Sequence, residues 1–238
     1  MNKRLLAIFA HPDDESFGPG GTLAKYAKEG VEIHILCATK GEAGRGTGDI
    51  RGQELISAAK ILGVKKVDFL DYTDGELSNS KYHEIAEKII TKINDFKPQV
   101  LMTYDIKGNS GHLDHIAMAL MTTYVFLHQK IAQRLFYYCR PKFYGLIEEK
   151  DKAFRRKYFI YFPEGYSEEE ISVKSDVNSI WKTKVLAMKE HKSQLKDVRR
   201  IIRMYQIRPK VENFLLFDEE KEISPKKLND MFEGIEGS

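Results

Sequence analysis

Arg4-Leu5-Leu6-Ala7-Ile8-Phe9-Ala10-His11-Pro12-Asp13-Asp14-Glu15 is a continuous apolar run that stops on a histidine, a proline and three consecutive acids. An apolar run without alternation is what a strand buried on both faces requires, and such strands occupy the middle of parallel sheets. Arg4 to Phe9 is therefore read as a first strand with a polar exit. Outward from it, the same grammar repeats. Thr22 to Glu29 has helical spacing and stops at Gly30; Val31 to Ala38 is a second strand; Ile50 to Leu62 is a helix closed by Gly63; Val67 to Leu70 is a third strand. Tyr82 to Phe96 carries Ile85, Ile89 and Ile93 on one helical face, and Pro98 blocks its continuation. Val100 to Tyr104, His112 to Gln129 and Leu135 to Cys139 follow as strand, helix and strand.

This alternation implies an α/β fold: a Rossmann-like, mostly parallel sheet with helices on both faces. In the common order 3-2-1-4-5, strands one and four are neighbours, and ligands bind in the crevice between their C-terminal ends. The second half is less regular. Tyr158 to Phe162 and Phe214 to Phe217 read as strands, Ser179 to Lys192 and Leu195 to Tyr205 as helices. Glu164 to Glu170 is a polar break rather than a linker, so residues 1–238 read as one domain.

Composition narrows the class. With 42% hydrophobic and 31% charged residues the chain reads as soluble and globular, and no apolar run approaches a membrane span. The apolar start is too short for a secretory leader, so the expected location is cytoplasmic. Cys37 and Cys139 lie in separate apolar stretches and read as buried thiols, not as a disulfide or a Cys-type zinc site. A net charge of +3 gives no reason to expect a nucleic-acid partner. The exception is local: Trp181 to Lys210 holds ten Lys or Arg against Glu190 and Asp197. That run reads either as a solvated helix face or as a rim that attracts an anionic substrate or cofactor.

Two polar clusters sit at the expected crevice. The first is His11-Pro12-Asp13-Asp14-Glu15; the second, after strand four, is Gly111-His112-Leu113-Asp114-His115. Adjacent carboxylates repel unless a cation or solvent compensates, and imidazole with carboxylate suits a zinc-type divalent metal. Carboxylates left over are available for proton transfer.

Ala10-His11-Pro12-Asp13-Asp14-Glu15, Gly20-Gly21-Thr22, Gly108 and Gly111-His112-Leu113-Asp114-His115 together resemble the PIG-L or LmbE-like family of zinc-dependent de-N-acetylases. This family includes enzymes of glycosyl-phosphatidylinositol, mycothiol and bacillithiol synthesis. Weaker likenesses are Thr39-Lys40-Gly41-Glu42, Arg51 with Glu54, Asp71-Tyr72-Thr73-Asp74-Gly75-Glu76-Leu77 and His191-Lys192-Ser193-Gln194. Leu113 stands where the family usually has proline. The resemblance implies Zn2+ held by His11, Asp14 and His115, with Asp13 as general base. It implies His112 as oxyanion stabiliser, oriented by Asp114 and favoured in its charged form, and Arg51 on the substrate side. The implied substrate is a small N-acetylated amino sugar; the oligomeric state stays open, a homo-oligomer included.

Other features read more plainly. Gly41, Gly44, Gly46, Gly48 and Gly52 suggest a loop able to close over substrate, not a phosphate fingerprint. Asp71 and Asp74 read first as part of an Asp-Gly turn, and Leu70 spoils calcium-loop spacing. His34, His83 and His128 read as structural or exposed, and His191 as a candidate for the site rim. Two alternatives remain: a zinc amidase acting on a non-sugar amide or thiol conjugate, and a non-catalytic metal- or nucleotide-binding module, whose sign would be a lost base.

Overall fold

The computed structural model describes residues 2–147 and 163–235. The strand expected at Tyr158–Phe162 lies outside the described residues. Strand β1 is Arg4–Phe9, followed by a short helix α1 (Asp14–Phe17), helix α2 (Gly20–Lys28) and strand β2 (Glu32–Thr39). Then come α3 (Gly48–Leu62), β3 (Lys66–Tyr72), α4 (Tyr82–Phe96), β4 (Val100–Tyr104), α5 (Leu113–His128), β5 (Arg134–Cys139) and α6 (Lys142–Ile147). After the gap come β6 (Val173–Asp176), α7 (Trp181–Glu190), α8 (Leu195–Met204), β7 (Val211–Asp218) and β8 (Glu222–Ile223).

The sheet order is β3-β2-β1-β4-β5-β7-β6, with β8 paired to β7. Strands β1 to β5 are mutually parallel, and β1 lies between β2 and β4 in register Leu5↔Ile33 and Leu5↔Val100. The expected 3-2-1-4-5 core is present. It is extended by antiparallel strands from the second half, β7 on β5 and β6 on β7. Successive side chains of a strand point to opposite faces, and β1 shows why its run had to be apolar throughout. Leu6 and Ile8 pack with Ile85, Ile89 and Ile93 of α4 and Met118, Met121 and Val125 of α5. Leu5, Ala7 and Phe9 pack on the other face with Leu23 of α2, Ala58 and Leu62 of α3 and Ala187 of α7. Each fully buried Leu, Ile or Phe side chain contributes roughly 1.5–3 kcal/mol.

Helix ends follow local chemistry. Gly63 closes α3 at φ +80°, a conformation side chains resist, and Lys97 closes α4 at φ +51° just before Pro98. Strand β6 is absent from the sequence reading because Val173-Lys174-Ser175-Asp176 is short and holds one large apolar residue; it forms at the sheet edge against β7.

A buried ion pair binds the second half to the first. Lys184 and Glu212 are both fully buried, with Nζ 2.6 Å from Oε1. Glu212 accepts the amides of Gly21 (2.9 Å) and Thr22 (2.7 Å) at the start of α2, and Lys184 donates to Gly18 O at 2.6 Å. A Cβ on Gly21 would lie 2.7 Å from Val177 and 2.8 Å from Glu212, which explains a small residue there.

Candidate metal centre

The exit of β1 is held by a chain of buried hydrogen bonds. His11 N donates to Asp14 Oδ2 at 2.9 Å, and Tyr104 Oη donates to Asp14 O at 3.0 Å. Asp13 sits at φ +103°, ψ −23°, which costs a non-glycine residue roughly 1–3 kcal/mol. Its amide donates to Glu15 Oε2 at 3.0 Å. Glu15 Oε1 in turn accepts from Ser16 Oγ and lies 2.7 Å from His191 Nε2, both Glu15 and His191 being buried.

The exit of β4 delivers the second set. Gly108 turns the chain at φ +72°, His112 caps α5 by accepting the Asp114 amide on Nδ1 at 3.2 Å, and His115 follows within the first turn. His115 Nδ1 pairs with Gly108 O at 3.1 Å, so Nδ1 carries the proton and Nε2 keeps its lone pair.

Three side chains then converge. His11 Nδ1 is 3.2 Å from His115 Nε2 and 3.9 Å from Asp14 Oδ2, and His115 Nε2 is 3.1 Å from Asp14 Oδ1. Ligand atoms of a tetrahedral zinc stand about 3.3 Å apart, close to the two shorter distances. His11 Nε2 faces away from the other two donors, 3.0 Å from Asp114 Oδ2 and 2.9 Å from Asp74 Oδ1. A carboxylate behind a ligating imidazole fixes its tautomer and raises its basicity. Two overlapping groups have metal-ligating spacing, His11 with His112 and His115, and His11 with Asp74 and Asp114. This buried His/Asp cluster is competent to bind a metal and is suited to metal-dependent amide hydrolysis.

The electrostatics belong to a site built for a cation. Burial would lower the pKa of His11, but the hydrogen bonds from Asp114 and Asp74 and the charge of Asp14 outweigh it and hold it up at about 10. Burial would raise Asp14, yet His115 and His11 pull it well below the usual range. Asp13 is pushed up to about 7 by burial, against the charge of Arg51. His112 is pushed down to about 4 by burial and by the charges of His115 and His11.

His112 is half-buried beside two other imidazoles, edge-on to His11 with centroids 4.6 Å apart and stacked on His115 at 5.0 Å. The Asp114 carboxylate accepts from His11 Nε2 and from Gly75 N at 2.7 Å, and its amide donates to His112 Nδ1 at 3.2 Å.

Arg51 is buried, not a surface residue at a helix start. Its guanidinium donates to Gly41 O, to Pro12 O at 2.7 Å and to Asp13 Oδ2 at 3.0 Å, so it lies beneath Asp13. A Cβ on Gly41 or Gly44 would meet its Nη1 at 2.3 Å, which accounts for glycine at both. The glycine-rich loop is tethered by Ala43 N to Asp74 Oδ2 and by Gln194 Nε2 to Arg45 O. Asp74, read from sequence as a turn residue, faces His11; only its place in the Asp71 to Leu77 likeness pointed to it. His191 is not at the rim but wholly buried behind Asp13. The Arg51–Glu54 and His191–Gln194 likenesses meet, since Ser193 N and Oγ donate to Glu54 at 2.7 and 2.6 Å.

A cavity of about 670 Å³ is lined by His11, Asp13, Asp14, Asp74, His112 and His115 together with Phe17, Tyr104, Ile201, Met204 and Tyr205. Among the described residues no helix is long and apolar enough to cross a membrane.

Comparison with known proteins agrees with this geometry. A 1D-myo-inositol 2-acetamido-2-deoxy-alpha-D-glucopyranoside deacetylase from Rhodococcus erythropolis is 28% identical over 242 residues, covering 81% of each chain. An enzyme of the same name from Actinosynnema mirum is 34% identical over 165 residues, covering 56% of this chain and 58% of its own length. Among solved structures, the N,N'-diacetylchitobiose deacetylase from Pyrococcus horikoshii superposes with a TM-score of 0.65 at 22% identity, over 90% of this chain and 83% of that one. The 4-carboxy-2-hydroxymuconate hydratase from Pseudomonas putida gives 0.67 at 18% identity, over 91% and 96%, so the fold serves more than one reaction. The family model for PIG-L, GlcNAc-PI de-N-acetylase, matches residues 6–126, which contain both polar clusters and the strands that carry them, and the chain belongs to that family.

Proposed function

We propose that the chain is a zinc-dependent de-N-acetylase that hydrolyses the acetamide of an N-acetylglucosamine conjugate to a free amine and acetate. The observation that carries this reading is the convergence of the His11, Asp14 and His115 side chains, with His115 Nε2 3.2 Å from His11 Nδ1 and 3.1 Å from Asp14 Oδ1, beside a half-buried carboxylate, Asp13, that is not part of the triad. The names of the curated relatives, all deacetylases of an acetamido sugar, support the substrate class.

His11, Asp14 and His115 would hold the zinc, which supplies Lewis acidity to the amide carbonyl and makes water a competent nucleophile near neutral pH. Asp13 takes the proton of the attacking water. A positioned base of this kind contributes roughly 10²–10⁴-fold. Arg51 holds that carboxylate in place through Oδ2. His112 accepts the Asp114 amide on Nδ1, which leaves Nε2 as the nitrogen that donates to the developing oxyanion. Asp114 and Asp74 engage His11 Nε2, which would leave the Nδ1 lone pair available to a metal.

Acetate release from a series of N-acetylglucosamine glycosides tests the reading, with free N-acetylglucosamine and N-acetyl amino acids as controls. The conjugates are expected to turn over well and the free sugar poorly, because binding energy from the remote group positions the amide. Turnover of N-acetyl amino acids alone would instead favour the non-sugar amidase.

A further inference from the structure

We propose that the exposed face of α8 is a docking surface for an anionic lipid bilayer; the inference goes beyond the hydrolase reading and does not depend on it. Lys196, Arg199 and Arg203 are exposed and follow one another at spacings of three and four, so they form one stripe along the helix. The other face of α8 is already used: Val198 and Ile201 pack with Met188 of α7 and with Tyr205. Packing therefore fixes the direction in which the stripe points.

The stripe has one sign. Every exposed charged residue between Trp181 and Lys210 is a lysine or an arginine. The two acids of that segment are half-buried and face its own cations, Glu190 at 3.9 Å from Lys192 and Asp197 at 3.7 Å from Arg200. Among the described residues Lys196, Arg199 and Arg203 make no ion pair. A solvated helix of the same chain looks different. Helix α4 exposes Glu84, Glu87 and Asp95 beside Lys88, and Glu84 lies 3.3 Å from Lys88. Mixed signs at such spacings support a helix in water and like signs weaken it. Helix α8 keeps the weakening pattern on a chain whose net charge is only +3.

Aliphatic side chains flank the stripe. Leu195 is exposed at the start of α8, and Ile207, just past its end, is 69% exposed. Singly such residues are ordinary. At both ends of a cationic stripe they match a bilayer surface, where lysine and arginine meet anionic headgroups and aliphatic side chains enter the boundary beneath. A nucleic acid would leave the aliphatic ends without a use. The rings that stack on single-stranded bases are missing too, since no aromatic residue is exposed between Trp181 and Lys210. Lys196 also lines the cavity, so docking by this face brings the cavity beside the headgroup layer.

The test is co-sedimentation of the full chain with sucrose-loaded vesicles, of phosphatidylcholine alone or of phosphatidylcholine with phosphatidylserine. A cation at an anionic surface contributes about fivefold, so three should give about 100-fold tighter partitioning into the anionic vesicles at low salt. Added salt should erode that preference. Arg199→Gln with Arg203→Gln should lose about 25-fold of it. Lys28→Gln with Lys60→Gln, exposed on α2 and α3, removes the same net charge away from the stripe and should lose less than about threefold. Both pairs should keep the wild-type Tm. Ile207→Ser should lower the binding that survives salt by about fivefold. Equal binding to neutral and anionic vesicles would overturn the proposal, as would equal losses from the two pairs. Tighter binding of random-sequence RNA than of anionic vesicles would overturn it in favour of a nucleic-acid partner.

Discussion

His191 touches no member of the metal triad, yet its replacement is expected to slow catalysis through Asp13. The imidazole lies 2.7 Å from Glu15, and Glu15 holds the amide of Asp13 in its φ +103° conformation. His191→Phe keeps a ring against Phe17, whose centroid is 5.8 Å away, and removes one charge-assisted hydrogen bond. Such a bond is worth about 1.5–3 kcal/mol, and the strain it helps to maintain at Asp13 is of similar size, about 1–3 kcal/mol. A loss of about 2 kcal/mol in the positioning of the base corresponds to about 30-fold in kcat. Zinc content and KM should change little. His191→Gln can present an N–H to the same carboxylate and should recover most of the rate. The decisive assay is the double-mutant cycle. In an Asp13→Ala background His191→Phe should cost less than about threefold, because the residue it positions is gone. The same 30-fold loss in both backgrounds, or a lowered Tm with unchanged kcat, would refute the reasoning.

Chelation should abolish turnover and zinc should restore it, while His115→Ala should fail to retain metal on dialysis, read by elemental analysis, since a tridentate site has no ligand to spare. Asp13→Asn should keep its zinc and lose roughly 10²–10⁴-fold in kcat, a split visible by pairing metal analysis with steady-state rates. Asp114→Ala should weaken zinc affinity by about 10–100-fold in a chelator competition, because its carboxylate backs His11. Lys184→Met strands the buried Glu212 carboxylate and should cost about 3–5 kcal/mol in denaturant unfolding, part of it regained with Glu212→Gln.

The parallel core was legible in the sequence because each of its signals is local. An apolar run such as Arg4 to Phe9 admits one reading as a strand covered on both faces, and the isoleucines of Tyr82 to Phe96 repeat with the helical period. The 3-2-1-4-5 order is the common one for such an alternation and was adopted as that. It brought the two polar clusters to one crevice without any contact being known. The antiparallel edge was not legible, because β6 is four residues long and alternates toward solvent, and its pairing with β7 joins segments that no periodicity relates.

At the site, sequence specified residue types and spacing, but partners there are decided by directions that only packing sets. Asp114 follows His112 by two residues, yet its carboxylate turns to His11, because α5 and the Asp74–Gly75 turn hold it between Gly75 N and His11 Nε2. Asp74 and His191 carry ordinary turn-like and helix-end contexts in the sequence. They become parts of the site only because β3 delivers one beside His11 and α7 delivers the other behind Asp13. The basic run after Trp181 shows its charge in the sequence; that Lys196, Arg200 and Arg208 of it line the cavity is a long-range arrangement that composition does not encode.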